Sequence, residues 1–399
     1  MTVDNNGSAS PENPGRCYFD WAATAIPEIG CSDIAAPFGN PSSRHQEGQD
    51  AREALENARS RCAAVLGVKT EHIYFTSGGT ESNAVALHGM LLRKSVACIL
   101  SSAVEHPSIR ENCLVLERLG KQTASIGVEK DGRVTPSTLE QALEQYPHAR
   151  FAAILGVNNE IGSRMDIPAL VKIIRNRKNS APIHIHSDLV QAAGKVPLDL
   201  SAWDVDSASI SAHKLGGPRG IGLLYLRKAL NPIYTGGGQE RGLRPGTENT
   251  AGAIALAECL ERHANPAAVQ AEYQKASERF KRLIRFLRTL RGGFLIPEDR
   301  EEEDERFSPY IVQAGFRGIP GEVMVRGLDD AGFAVSTGSA CSSSSQERPA
   351  LRSMGLDKQT SLEGIRISQG WTTTIEDIDR LTKAIEAMVV QFGFGREQR

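Results

Sequence analysis

Between about residues 70 and 230 the chain alternates short apolar runs with helical patterns, and no other feature restricts its fold so tightly. Candidate strands are HIYFTS (72–77), VACILSS (96–102), FAAILGV (151–157), PIHIHSD (182–188), DSASISA (206–212) and GIGLLYL (220–226). Helix-like stretches such as ESNAVALHGMLLRK and MDIPALVKIIRNRK lie between most of them. This alternation predicts a mainly parallel α/β sheet, with ligands gathering at the carboxyl ends of its strands. Beyond a Gly-rich loop at 236–246, NPAAVQAEYQKASERFKRLIRFLRTL reads as a long amphipathic helix leading into a second domain. TIEDIDRLTKAIEAMVVQF reads as the last helix, opened by a Thr374–Asp377 pair resembling a capping box. The acidic run EDREEEDER (298–306) reads as a solvated loop.

Composition removes several function classes. The 399 residues allow two or more domains. A net charge of −2 gives no global attraction to nucleic acid or anionic membrane. No uninterrupted apolar run reaches transmembrane length. The start, MTVDNNGSASPENPGR, lacks the basic-then-apolar pattern of a secretory signal and reads as a polar, disordered lead-in. The seven cysteines (17, 31, 62, 98, 113, 259 and 341) are scattered with no CxxC pair. A metal or disulfide framework is therefore not expected, and a reducing cytoplasm is.

Three constellations carry chemistry. In FTSGGTESNAV an apolar run breaks into Ser77-Gly78-Gly79-Thr80 before a helical pattern begins. Small residues there let backbone N–H groups approach a phosphate, although a Gly turn with an N-cap reads equally well. Neither a Walker P-loop nor a GxGxxG fingerprint occurs. In SISAHKLGGPRGIG, Lys214 follows an apolar strand; it is either a surface lysine or an amine desolvated enough to form a Schiff base. In HIHSDLVQAAGK, Asp188 ends a strand, placed either to cap the next turn or to hold a pyridinium nitrogen protonated.

With YFDWAAT, FGNPSSRH, EHPSI, GVNNEIG, GGGQERGLRPGTEN, STGSACSS and GIRIS, these stretches resemble, in order and spacing, the cysteine desulfurases. Those enzymes belong to the class V aminotransferase group of pyridoxal-phosphate enzymes. The resemblance runs from about Tyr18 to the C-terminal helix. It implies a fold-type I architecture: a large domain with a mainly parallel seven-stranded sheet between helices, plus a smaller α+β domain. The implied division is a lead-in at 1–16, a cofactor domain at 30–262, and a small domain from 17–29 and 263–399. The small domain would carry a catalytic-cysteine loop at about 334–347.

The resemblance also implies roles. Lys214 would bind pyridoxal phosphate through a Schiff base and move protons. Gly79, Thr80, Ser211 and His213 would grip the phosphate, and Thr247 would reach the cofactor of a second subunit in a homodimer. His106 would stack on the ring and assist proton transfer, Asp188 would bind the ring nitrogen, and Gln191 would bind the ring hydroxyl. Asn159 and Arg366 would hold the substrate carboxylate, a task suited to a planar guanidinium. Read without the resemblance, His106, Asn159 and Arg366 look structural, Asn159 as a turn residue and Arg366 as an exposed strand or edge charge.

Cys341 would accept the sulfur of L-cysteine as a persulfide for an acceptor protein, because a thiolate must attack the substrate sulfur. Its small neighbours suit a loop that has to move. The alternatives are a selenocysteine or cystine lyase of the same fold and a non-catalytic scaffold that binds pyridoxal phosphate. The chain departs from the family pattern at Trp21, Leu189, Gln369 and Trp371. The stretch from Pro27 to FGNPSS is also about ten residues shorter than the family leads one to expect.

Overall fold

The computed structural model describes residues 15–92, 98–178, 181–338 and 348–392; Cys341 therefore lies outside the described residues. Twelve strands are present: β1 (Cys17–Tyr18), β2 (Ile73–Thr76), β3 (Cys98–Ser102), β4 (Gln122–Ile126), β5 (Ala149–Ala153) and β6 (His184–Asp188), then β7 (Ser207–Ser211), β8 (Gly222–Leu226), β9 (Gly293–Ile296), β10 (Ile311–Phe316), β11 (Phe333–Ala334) and β12 (Gly364–Ser368). Seven of them form one sheet in the order β2-β8-β7-β6-β5-β3-β4. Strands β7, β6, β5, β3 and β4 run parallel, whereas β8 lies antiparallel between β2 and β7. The expected mainly parallel α/β sheet is thus present.

Six of the seven strands coincide with the apolar runs. The seventh, β4, was not anticipated, because QTASI is an edge strand that keeps only Ile126 buried and so carries no apolar run. The helices also match their patterns, at Gly79–His88, Ile167–Arg175, Pro266–Thr289 and Ile375–Phe392. The last opens as expected: Thr374 N–H donates to Asp377 Oδ2 (2.9 Å), and Asp377 N–H donates to Thr374 Oγ1 (3.1 Å). The acidic run is a loop whose Glu302 and Glu303 pair with Arg285 and Lys281. Arg300 within it is instead buried, donating to the carbonyls of Ile161 and Ile311.

A second core lies around the antiparallel sheet β12-β10-β9 and includes Phe19, Phe280, Leu283, Val312, Ile367 and Leu381. The N-terminal strap belongs to this core. Strand β1 pairs with β11, Asp20 bridges to Ser368, and Ala22 N–H donates to Ser368 Oγ (2.9 Å). From there the strap turns toward the large sheet, where Ala25 N–H donates to the carbonyl of His213 (2.9 Å).

The departures from the family pattern pack against one another. Trp21 is 1% exposed, and a Cβ on Gly370 would fall 2.0 Å from its ring. Trp371 meets Trp21 edge-on at 5.5 Å and stacks on His263 at 3.9 Å. Glu28, in the shortened segment, accepts from His263 and Arg262, both at 3.0 Å. Gln369 donates to the carbonyls of Ala276 and Pro309. Leu189 fills space left by Gly156, where a Cβ would come within 2.7 Å of the leucine methyl. Trp21→Ala empties this contact and should cost about 3–5 kcal/mol of stability, measured as a lower denaturant midpoint. A loss below about 1 kcal/mol would mean the strap does not depend on the indole.

Candidate active site

The carboxyl ends of β5, β6 and β7 open into a cleft of about 750 Å³ lined by Thr80, His106, Asn159, Asp188, Gln191, Ser211, His213, Lys214, Gly338 and Arg366, among others. Sequence reasoning selected nearly all of these, from segments spread over 280 positions of the chain, and the fold brings them together. Gly79 lines the same cleft. Thr247 does not line it; it is exposed on the surface.

Lys214 follows β7 in a short 3₁₀ turn. Its Nζ donates to the carbonyls of Ala22 (2.5 Å) and Ala23 (2.6 Å). The strap from the second core therefore holds the ammonium, a contact no motif announced. His213 beside it shares a hydrogen bond with Thr24 Oγ1 (3.1 Å), and burial pushes its pKa down to about 4, with Lys214 adding to the effect. It is neutral at physiological pH.

Asp188 does both things its sequence position allowed. Its Oδ1 accepts from Val190 N–H (2.9 Å), capping the turn, while Oδ2 accepts from Asn83 Nδ2 (2.7 Å). Asn83 went unassigned in the sequence. It stands four residues after Gly79 in the helix Gly79–His88, a spacing that puts both on one face. Its Nδ2 also donates to Ser108 Oγ (2.8 Å), and its Oδ1 accepts from His186 Nε2 (2.9 Å). Ser108 Oγ lies 2.8 Å from His106 Nδ1, which also accepts from Ser108 N–H (3.1 Å). Accepting at Nδ1 leaves the ring proton of His106 on Nε2. Burial lowers the pKa of His106, and Lys214 reinforces this against Asp188. The preceding Glu105 is fully buried, and its pKa rises to about 8 through burial and the nearby Asp188 charge.

Arg366 corrects its reading as an edge charge. It is 2% exposed, because β12 pairs with β10 and its side chain runs under the strap. Its Nη1 donates to Asn159 O (2.9 Å) and its Nη2 to Asp20 Oδ1 (2.7 Å). Its Nε has no hydrogen-bond partner among the described residues. A guanidinium with one unsatisfied N–H beside a donor-rich cleft suits a carboxylate ligand.

The cradle fits a phosphate. Gly78 caps its helix without a side-chain hydrogen bond, leaving first-turn N–H groups free of a capping side chain. Any side chain at Gly79 would strike Val190, and one at Gly222 would strike Gly78, so the backbone itself forms the wall. Ser77, Thr80, Ser211, His213 and Arg219 surround a recess there. This donor set, with Asp188 and Lys214 across the cleft, fits the pyridoxal phosphate implied by the sequence.

Two measurements probe the buried network. Asn83→Ala strands Asp188 Oδ2 and His186 Nε2 and should cost about 1–3 kcal/mol, read as a lower melting temperature. His186 is fully buried and its pKa is pushed down to about 3, against about 6.5 when unfolded. The unfolded chain takes up that proton first, so stability should fall as pH drops from about 6.5 toward 3. The urea midpoint should decline between about pH 7 and pH 5 by more in the wild type than in His186→Asn; equal declines would contradict the assignment.

The description "aminotransferase class-V" belongs to the family model that matches residues 17–381. A relative named cysteine desulfurase IscS, from Dictyoglomus turgidum, is 35% identical over 389 residues, covering 93% of this chain and 94% of the relative. A solved NifS-like protein shares 29% identity at a TM-score of 0.82, covering 94% of this chain and 100% of its own. Another, titled SspA in complex with cysteine, shares 27% identity at a TM-score of 0.71, covering 88% of this chain and 98% of its own. With matches of this length, and with the quoted motifs converging on one cleft, the chain belongs to the class V aminotransferase family, whose enzymes depend on pyridoxal phosphate.

Proposed function

We propose that this chain is a pyridoxal-phosphate-dependent cysteine desulfurase, converting L-cysteine to L-alanine and leaving the sulfur on Cys341 as a persulfide. The observation that carries the reading is the cleft itself. It places the Lys214 amine, the Asp188 carboxylate and the His106 imidazole opposite Arg366, and its rim includes Gly338 and Pro349, which flank the segment bearing Cys341. Similarity to a protein named cysteine desulfurase, and to one solved with cysteine, supports the same substrate.

Gly79, Thr80, Ser211 and His213 would hold the phosphate, Asp188 the ring nitrogen, Gln191 the ring oxygen, and Lys214 the cofactor carbon. Bound in this way, pyridoxal phosphate supplies an electron sink for the charge left at the substrate Cα. Arg366 and Asn159 orient the substrate carboxylate. Lys214, once displaced by the substrate amine, takes the Cα proton, and its position against two carbonyls favours its return as an acid. His106, neutral and protonated at Nε2, is placed for a second proton transfer. Asp188 stays ionised and keeps its proton partner on the ring.

The nucleophile has to be a thiolate. None of the six described cysteines lines the cleft, and burial raises the pKa of Cys17, Cys62, Cys98, Cys113 and Cys259 to about 11 or 12. Those thiols are suited to packing. Cys341 is three residues beyond Gly338, within about 10 Å of extended chain. The persulfide is then available to an acceptor protein in iron–sulfur cluster, thiolated RNA or thio-cofactor synthesis. We further propose a homodimer in which the exposed Thr247 reaches the partner's cofactor, a large domain at 30–262 with a small one from 17–29 and 263–399, and a cytoplasmic setting. Among the described residues no helix is long and apolar enough to cross a membrane.

Incubation with L-cysteine should add the mass of one sulfur at Cys341. Cys341→Ala should retain the bound-cofactor absorption and lose both persulfide and alanine formation; normal turnover in that variant would instead indicate cystine-type cleavage. Lys214→Ala should lose the covalent cofactor signal, and an unchanged spectrum would refute its role.

A further inference from the structure

Lys195 has no part in the mechanism above, yet it is 2% exposed and lies behind the cleft wall. It ends the QAAGK stretch, four residues after Gln191 in the compact turn that follows β6. Its Nζ donates to Gln191 Oε1 (2.9 Å). Gln191 Nε2 in turn donates to the carbonyl of Ala22 (2.8 Å), which also accepts from Lys214 Nζ (2.5 Å). The four groups form a chain that runs from Lys195 to the reactive amine.

The polarity of that chain is fixed by chemistry. An ammonium donates and cannot accept, so it can face only the oxygen of the Gln191 carboxamide. The amide nitrogen is thereby turned to Ala22 and the cleft, with one N–H used and a second available. Without Lys195, the carboxamide could rotate by half a turn and present its oxygen to the cleft instead. The charged and titratable groups whose fields act between Lys195 and the site are Lys214, Arg366 and His213. None of them is an anion. Burial and those cations lower the pKa of Lys195 to about 7.

We propose that Lys195 is a positioning residue that locks the carboxamide of Gln191 with its N–H toward the ring oxygen of pyridoxal phosphate. The inference rests on the cofactor reading above. A carboxamide held in this sense donates to an anionic ring oxygen; the reversed one opposes it with a lone pair. The Lys195 ammonium adds a buried positive charge that disfavours a proton on the nitrogen joining Lys214 to the cofactor.

The test uses the full chain loaded with pyridoxal phosphate. Lys195→Met should weaken cofactor binding about tenfold, in a titration followed by visible absorption. It should also raise the pH midpoint of that absorption by about half a unit or more, since removing a nearby cation eases protonation. Gln191→Ala should weaken binding similarly, and the double variant should be no weaker than Gln191→Ala alone, as two residues acting through one contact require. Unchanged affinity and midpoint in Lys195→Met, or effects that add in full, would overturn the proposal. Should Lys195→Met not fold, Lys195→Gln carries the same comparisons. A wild type that binds no pyridoxal phosphate overturns the cofactor reading and this inference together, whereas a wild type that binds it normally with a silent Lys195→Met overturns only the inference.

Discussion

The site depends on two backbone carbonyls. Ala22 and Ala23 belong to a strap anchored in the small core, yet their oxygens hold the amine of Lys214, which belongs to the large sheet. That contact joins the two cores at the place where the chemistry has to occur. On one side lie Asp188, Gln191 and the phosphate cradle, delivered by the ends of parallel strands. On the other lie Arg366 and Gly338, delivered by β12 and the residues near β11. Neither core alone contains a complete site.

Burial then assigns proton positions. His186 is neutral because it is enclosed, so its Nε2–H donates to Asn83 and fixes that amide. The fixed amide gives both its N–H groups to Asp188 and Ser108, and Ser108 in turn meets His106. A histidine two strands away from any substrate thus decides which nitrogen His106 presents. Such networks are stable only when every member is satisfied, and here each polar atom in the path has a partner.

Much of this was legible in the sequence, for a physical reason. Buried parallel strands have to be apolar throughout, and a backbone phosphate cradle has to be made of small residues; both leave marks on composition. Strand β4 left none, because an exposed edge needs no apolar run. Asn83 and Lys195 stood inside quoted motifs without a role, since their partners come from segments 20 to 170 residues away in sequence. Arg366 read as a surface charge because its burial arises from the strap crossing β12. Trp21, Trp371 and the shortened segment looked like separate departures, whereas in the fold they form one contiguous packing unit with His263 and Glu28. That unit supports the strap and leaves the polar groups of the cleft in place.

The strap has a consequence for how such a site changes over time. At positions 22 and 23 the working atoms are peptide oxygens, which no side-chain replacement can delete. An alanine scan would pass over both positions, and so would a comparison of residue types. What variation can alter is the path of the backbone there, set by the indole at 21 and the glycine at 370. A lineage can therefore retune the reactive lysine by exchanging packing residues well outside the cleft, with every chemical group still present.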